Sequence, residues 1–544
     1  MKKTVALLLF IFILAIGNGQ KTSSTFLNLQ KAPATILVET NQSIIKLTKR
    51  GSQWIGNDIV ISINNIQNSL VVDLTSTQHP IKNIYLKWKI RPSMDMVYLG
   101  DAWERAYGNL QWLPLDSTRI MPWYFLASNK TITHGYGVKT GPNAMCSWRV
   151  TPTEAILRAD VRSGGVGVEL GNRKLQVCTI VSREGKPGES AFKAAQTFCK
   201  VMCPNPRLPK QPVYGFNDWY CDYGKNNEDN VRYYAAFVAR LAPKGANRPF
   251  MVIDDGWQAK GGGSGYGGPW DSSNEKFSSM EKLAKDIKQM NVRPGIWVHL
   301  LTAQQDQPES WRLKHYPAIL DISKPEVRSY VVRIVKNLRT WGYELIKHDY
   351  STNDISRSWG GSAGAADTAT WAFSDRSRTT AEIILDHYKS IREAGGDALV
   401  IGCNTIGHLA AGIFEISRIG DDTSGQEWER VKKMGVNCLA FRAPQHNTFF
   451  AVDADCVGQT KKDIIPWSLN SQWLQLVSQS GTPLFISFKK GSVTPEQEQV
   501  ITTALLNGSK VQPLGEPLDW FETIQPKQWK LMGKTVNFNW EDTK

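Results

Sequence analysis

Beyond its first residues the 544-residue chain has no apolar run near the roughly 20 residues that a membrane-spanning helix needs, so no integral membrane segment is expected. Cysteine and histidine are scarce, 8 of each. Cysteines this sparse do not make a disulfide-stapled scaffold, and Cys199 and Cys203, although spaced like half a zinc site, are followed by no second ligand pair. No metal site is expected. Basic residues exceed acidic ones by 14 without forming a run or stripe, which argues against nucleic acid as a partner. With 41% hydrophobic and only 21% charged residues, disorder and coiled coil are excluded, and the length allows a large buried core.

What is present starts with Met1-Lys2-Lys3 and the uncharged apolar run 5–16, the cationic and hydrophobic regions of a secretory signal peptide. Gly17-Asn18-Gly19 supplies small residues for cleavage, so residues 1–19 are expected to be removed and the rest to be secreted or periplasmic. Over 20–208, short period-two runs such as Ile59-Val60-Ile61-Ser62-Ile63 and Leu70-Val71-Val72-Asp73-Leu74, punctuated by turn residues, predict an antiparallel β-sandwich. Over 209–513 the rhythm becomes short apolar strand, polar loop, amphipathic helix. Eight such strands, at 213–216, 250–253, 295–298, 343–346, 398–401, 413–416, 449–452 and 483–486, predict a (β/α)8 TIM barrel. Residues 514–544 suffice only for a short β-like tail. The oligomeric state is not legible.

A barrel of this kind carries its chemistry at the C-terminal ends of the strands, and there the chain is acidic. Asn217-Asp218-Trp219 follows the first strand, Asp254-Asp255-Gly256-Trp257 the second, and Lys347-His348-Asp349 the fourth. Cys403-Asn404 follows the fifth, Arg418-Ile419-Gly420-Asp421-Asp422 the sixth, and Asp453-Ala454-Asp455 the seventh. Alternation puts Lys347 and Asp349 on one face and turns His348 away; it groups Arg418 with Asp422 and sends Asp421 to the other side. Asp421 stays the rival of Asp422 if the strand ends at Ile419. Two carboxylates from different strands, each preceded by a cation, are what retaining glycoside hydrolysis requires: an ionised nucleophile and a protonated acid. Lys347 is expected to keep Asp349 ionised. Asp422 is expected to carry the proton, with Arg418 meeting substrate rather than pairing tightly with it. Trp219, Trp257 and Trp297 are expected as flat walls for the C–H face of a sugar. Cys403 is expected to line the pocket, and His299 either faces substrate or is structural. The glycine-rich run 261–268 contains G-x-G-x-x-G but begins inside a loop, so it predicts a loop over the barrel mouth rather than a nucleotide site, and no cofactor is expected.

At these residues the sequence resembles clan D of the glycoside hydrolases, the retaining α-galactosidases of families 27 and 36 and their relatives. Gly215-Phe216-Asn217-Asp218-Trp219 resembles G-W-x-x-W, Asp254-Asp255-Gly256-Trp257 resembles D-D-G-W, and Gly295-Ile296-Trp297 resembles G-[IL]-[WY]. Lys347-His348-Asp349 resembles K-x-D, Arg418 with Asp422 the arginine and acid/base pair, and Asp453-Ala454-Asp455 the D-P-D of strand seven. The resemblance implies Asp349 as nucleophile, Asp422 as acid/base, Trp219 as a stacking residue, and Asp254 and Asp255 as ligands of the sugar 4- and 6-hydroxyls. It also implies binding roles for Trp257, Trp297, Lys347, Cys403, Asn404, Arg418 and Asp455, with an oligosaccharide or glycan as substrate. Cys403-Asn404 departs from the Cys-Glu of family 27 and the C-S-G-G-G of family 36, which leaves recognition at C2 of the sugar open. α-N-Acetylgalactosaminidase, β-L-arabinopyranosidase and transglycosylase activities therefore stay open, as does a non-catalytic glycan-binding protein on the same fold.

Overall fold

The computed structural model describes residues 25–260, 267–357 and 371–541. The expected signal peptide and most of the glycine-rich run lie outside the described residues.

The first part of the chain forms two antiparallel sheets, one of six strands and one of nine. Alternation is strict at Thr35–Thr40, which buries every second side chain, and its register against Ile81–Lys89 sets Ile36 opposite Leu86 and Val38 opposite Ile84. Trp148 of one sheet meets Phe125 of the other edge-on at 5.7 Å, so aromatic rings fill the space between them. A helix at Ala191–Met202, capped by Ser190, leads out of this unit.

Then the pattern changes as expected to strands alternating with helices. The parallel sheet contains Tyr214–Asn217, Phe250–Ile253, Arg293–Val298, Leu345–His348, Leu399–Gly402, Ile416–Arg418, Ala451–Asp453, Cys456–Gln459 and Leu484–Phe488. It curls, and the two strands at its ends, Ala451–Asp453 and Cys456–Gln459, are consecutive in the chain. Asp455, between them, has a left-handed φ of 74°; the seventh strand, expected at 449–452, runs over Ala451–Asp453, and Cys456–Gln459 is a further strand that was not expected. The sixth strand begins later than expected, because Ile413 and Phe414 both donate backbone N–H groups to Ala410 and stay in a turn. Arg418 consequently ends that strand instead of following it. Helices run on the outer side at Glu228–Leu241, Met280–Gln289, Pro325–Thr340, Thr380–Gly395, Trp467–Gln479 and Pro495–Gly508. Thr379 with Glu382, and Thr494 with Gln497, close capping boxes that satisfy the first turns of two of them. The tail is a three-stranded antiparallel sheet spanning residues 516–537.

Candidate active site

Each of the polar strand ends converges on one region. Asp254, at the end of the second parallel strand, accepts hydrogen bonds at Oδ2 from Asn217 Nδ2 at 2.7 Å and from Lys347 Nζ at 2.6 Å. Lys347 therefore hydrogen-bonds Asp254, while its charge also lowers the Asp349 pKa as expected. The parallel register explains this: Trp297 stands between the two strands, opposite Lys347, and the long lysine side chain reaches past it to the next strand end but one. Asp255 accepts from Gln258 Nε2 at 2.5 Å.

Gly256 is required by its position. Its φ is +121°, and a Cβ there would lie 2.5 Å from the backbone carbonyl of Gly224. This turn sends Trp257 back into the interior, where it is fully buried against Trp270 and Trp341 and donates its indole N–H to the Trp297 carbonyl. Trp257 is thus a core residue and not the sugar-facing wall expected of it. Trp219 is half-buried and tilted against Tyr223. Trp297 turns its indole N–H to Asp349 Oδ2 at 3.0 Å.

Asp349 also accepts the Tyr350 backbone N–H at 2.7 Å, and Tyr350 pays for that with a left-handed φ of 65°. Burial raises the Asp349 pKa, but the Arg105 guanidinium, the Lys347 ammonium and these two N–H donors outweigh it and hold the carboxyl below its ordinary range. Asp349 is ionised. His348 points away as alternation requires, fully buried and edge-on to His387 at 5.2 Å. His299 is buried, paired with Asp354 at 2.7 Å and stacked on the Tyr350 ring at 4.3 Å, so it supports the residue after Asp349.

Arg418 departs from expectation. Its Nη2 lies 2.8 Å from Asp455 Oδ2 and 3.1 Å from Asp422 Oδ1, and its Nη1 donates to Cys403 Sγ at 3.8 Å. It is a paired, buried cation. Asp455 Oδ2 in turn collects Tyr220 Oη, the Thr423 N–H and the Thr423 hydroxyl, so this carboxylate fixes Arg418 and is already saturated by protein donors. Asp422, with a side chain 38% exposed, is held below the carboxylate range: burial raises it, and Arg418, Arg105 and Lys347 more than reverse that. Asp422 is thus held as a carboxylate, contrary to the expected proton carrier, because two guanidinium groups flank it.

Asp349 and Asp422 line one cavity of about 410 Å³ together with Arg105, Tyr107, Tyr350 and Asp421. That volume lies within the roughly 300–1,000 Å³ of small-molecule sites. Three residues of this region, Glu104, Arg105 and Tyr107, come from the antiparallel β unit and were not anticipated. Glu104 accepts hydrogen bonds from Tyr107 Oη at 2.6 Å and from Asn404 Nδ2, so the asparagine after the fifth strand is occupied by a carboxylate from another part of the chain. The signal was present: Glu104 and Arg105 stand in the run 100–108 between two glycines, where no alternation continues, and both are buried.

No family model matches the chain. Among solved structures, an α-galactosidase from Thermus thermophilus in complex with p-nitrophenyl α-D-galactopyranoside is 14% identical at a TM-score of 0.58, covering 93% of this chain and 99% of that one. A family 36 α-galactosidase variant from Geobacillus stearothermophilus in complex with raffinose is 12% identical at a TM-score of 0.59, covering 92% of this chain and 79% of that one. A family 31 dextranase from Flavobacterium johnsoniae complexed with glucose is 13% identical at a TM-score of 0.56, covering 95% and 70%. These likenesses establish a shared fold, one consistent with clan D and related glycoside hydrolases.

Proposed function

We propose that the chain is a secreted, exo-acting retaining glycoside hydrolase of α-galactosidase type. The supporting observation is that Asp349 and Asp422 line the same cavity, with Asp349 ionised and held by two N–H donors. Asp421 lines it too: the sixth strand ends at Arg418, so alternation does not extend to residues 421 and 422, and the spacing from Arg418 is what favours Asp422. Three further readings go with it: a (β/α)8 barrel closed through Ala454 and Asp455, cleavage after residue 19, and division into units of 20–208, 209–513 and 514–544.

In the first step an Asp349 carboxylate oxygen attacks the anomeric carbon while Asp422 gives a proton to the glycosidic oxygen, and the aglycone departs as an alcohol. In the second step Asp422 takes a proton from water, the water oxygen bonds to the anomeric carbon, and the Asp349 ester is released. The charge pattern supports this alternation. A sugar seated in the cavity strips water from Asp422 while ionised Asp349 stands near it, and both raise its pKa toward protonation. Esterification of Asp349 removes that negative charge, leaving Arg418 and Arg105 to draw Asp422 back to the carboxylate it needs to be as a base. Lys347 and Asp254, paired at 2.6 Å, are the donor and acceptor proposed for sugar hydroxyls.

The neighbours bear p-nitrophenyl α-galactoside and raffinose, which supports a galactoside as the first substrate to try. A panel of aryl α-galactoside, α-N-acetylgalactosaminide and β-L-arabinopyranoside tests it. The α-galactoside is expected to give the highest kcat/KM. Sugar binding by calorimetry with no turnover of any member would instead make the chain a glycan-binding protein.

A further inference from the structure

Arg105 is supplied by the antiparallel β unit, yet its contacts are with the turn after the sixth parallel strand. Its Nη2 lies 3.1 Å from Asp421 Oδ1 and its Nη1 lies 3.6 Å from Asp422 Oδ1, and its side chain is only 6% exposed. The backbone around it is fixed to that same turn. Ala106 donates its N–H to the Ile419 carbonyl at 2.8 Å and receives the Asp421 N–H at 2.9 Å. Arg442, buried and paired with Asp101 at 2.9 Å, donates Nη1 to both the Glu104 and Ile419 carbonyls. Gly108, at φ +73°, lets the chain pass Lys433, whose carbonyl oxygen a Cβ would approach to 2.8 Å. Asp421 is further held by Arg430 at 2.6 Å.

We propose that Arg105 is a positioning residue: anchored by Asp421, it holds Asp422 in place from across the domain junction and sets the pH window of the reaction. This rests on the hydrolase reading above, and it gives Asp421 a role other than proton transfer. The charged and titratable groups facing Asp422 are Arg418 from its own turn, Arg105, Lys347 and Asp349 from the fourth strand end, Tyr350, Tyr220, Tyr223, and Arg430 by way of Asp421. Arg105 is one of the two guanidinium groups within 4 Å of Asp422, and it also leads the interactions that lower Asp349.

Its loss therefore moves both carboxyls the same way. kcat against pH reports the enzyme–substrate complex, in which Asp422 carries its proton; it falls on the acid side as Asp349 protonates and on the alkaline side as Asp422 loses its proton. An opposite charge this close typically moves a carboxyl by about 1–3 units, so Arg105→Gln is expected to translate both limbs upward by about one unit. Arg105→Lys, which keeps the charge, is expected to return them. Damage to the fold alone lowers the height of the curve without translating it, and thermal melts identify that case. Asp421→Asn is the second variant: it leaves Arg105 to Asp422 alone, and the alkaline limb is expected to move down. Limbs that stay in place in Arg105→Gln, or an alkaline limb abolished by Asp421→Asn, would overturn the proposal. If the wild-type chain turns over no aryl glycoside, the hydrolase reading fails by itself; carboxyl carbon NMR titrations of wild type, Asp422→Asn and Arg105→Gln then decide Arg105 alone. A higher Asp422 midpoint in Arg105→Gln supports its hold on Asp422, and an unchanged midpoint refutes it.

Discussion

Replacing Asp349 by glycine is expected to lower turnover of an aryl α-galactoside by roughly 10⁴-fold or more, because Asp349 is the group that forms the glycosyl ester. Fold stability should change little by comparison. The carboxylate is surrounded by Arg105, Lys347 and two N–H donors, so its removal leaves a cationic hollow where it stood. Azide is expected to occupy that hollow and restore part of the rate by attacking the anomeric carbon directly. One displacement inverts the centre, so the product is a β-galactosyl azide. Turnover within tenfold of wild type would remove Asp349 from the mechanism.

Asp422→Ala is the second large effect, and its size should depend on the leaving group. General acid catalysis contributes about 10²–10⁴-fold, so galactosides with alkyl aglycones are expected to lose that much. A dinitrophenyl galactoside, whose leaving group needs no proton, is expected to form the Asp349 ester at a rate within about tenfold of wild type. The ester then accumulates, since no base activates water. Azide needs no such base; it should discharge the ester to an α-galactosyl azide, the opposite anomer from that given by the Asp349 variant. The same losses in Asp421→Ala with Asp422→Ala active would exchange the roles of the two residues.

Asp349 was legible because short apolar strands announce their own ends and alternation carries one residue past His348; Asp422, four residues beyond the strand end at Arg418, was legible only from its spacing to Arg418, and Asp421 beside it lines the same cavity. The Lys347–His348–Asp349 run shows how well this works, with His348 turned outward and Asp349 in the cavity. Partnerships between strands were not legible. Lys347 and Arg418 are long enough to choose among several acids, and the choice was made by register and by which carboxylate lay deepest, Asp254 for one and Asp455 for the other. Trp257 misled because Gly256 reverses the chain just before it, a backbone event that motif spacing does not reveal. The strand Cys456–Gln459 was missed for a related reason: it follows the left-handed turn at Asp455, which nothing in the apolar pattern announces.

Glu104 and Arg105 were the largest omission. They stand some 300 residues from Asn404 and Asp422 in sequence, and strand-end reasoning searches only the unit it has identified.

The central claim is that Asp349 and Asp422 work by two displacements at one anomeric carbon. Proton NMR of the first-formed sugar, recorded during hydrolysis of an aryl α-galactoside before mutarotation, tests it most directly. The account predicts that α-galactose appears first and β-galactose only later; β-galactose appearing first would contradict it.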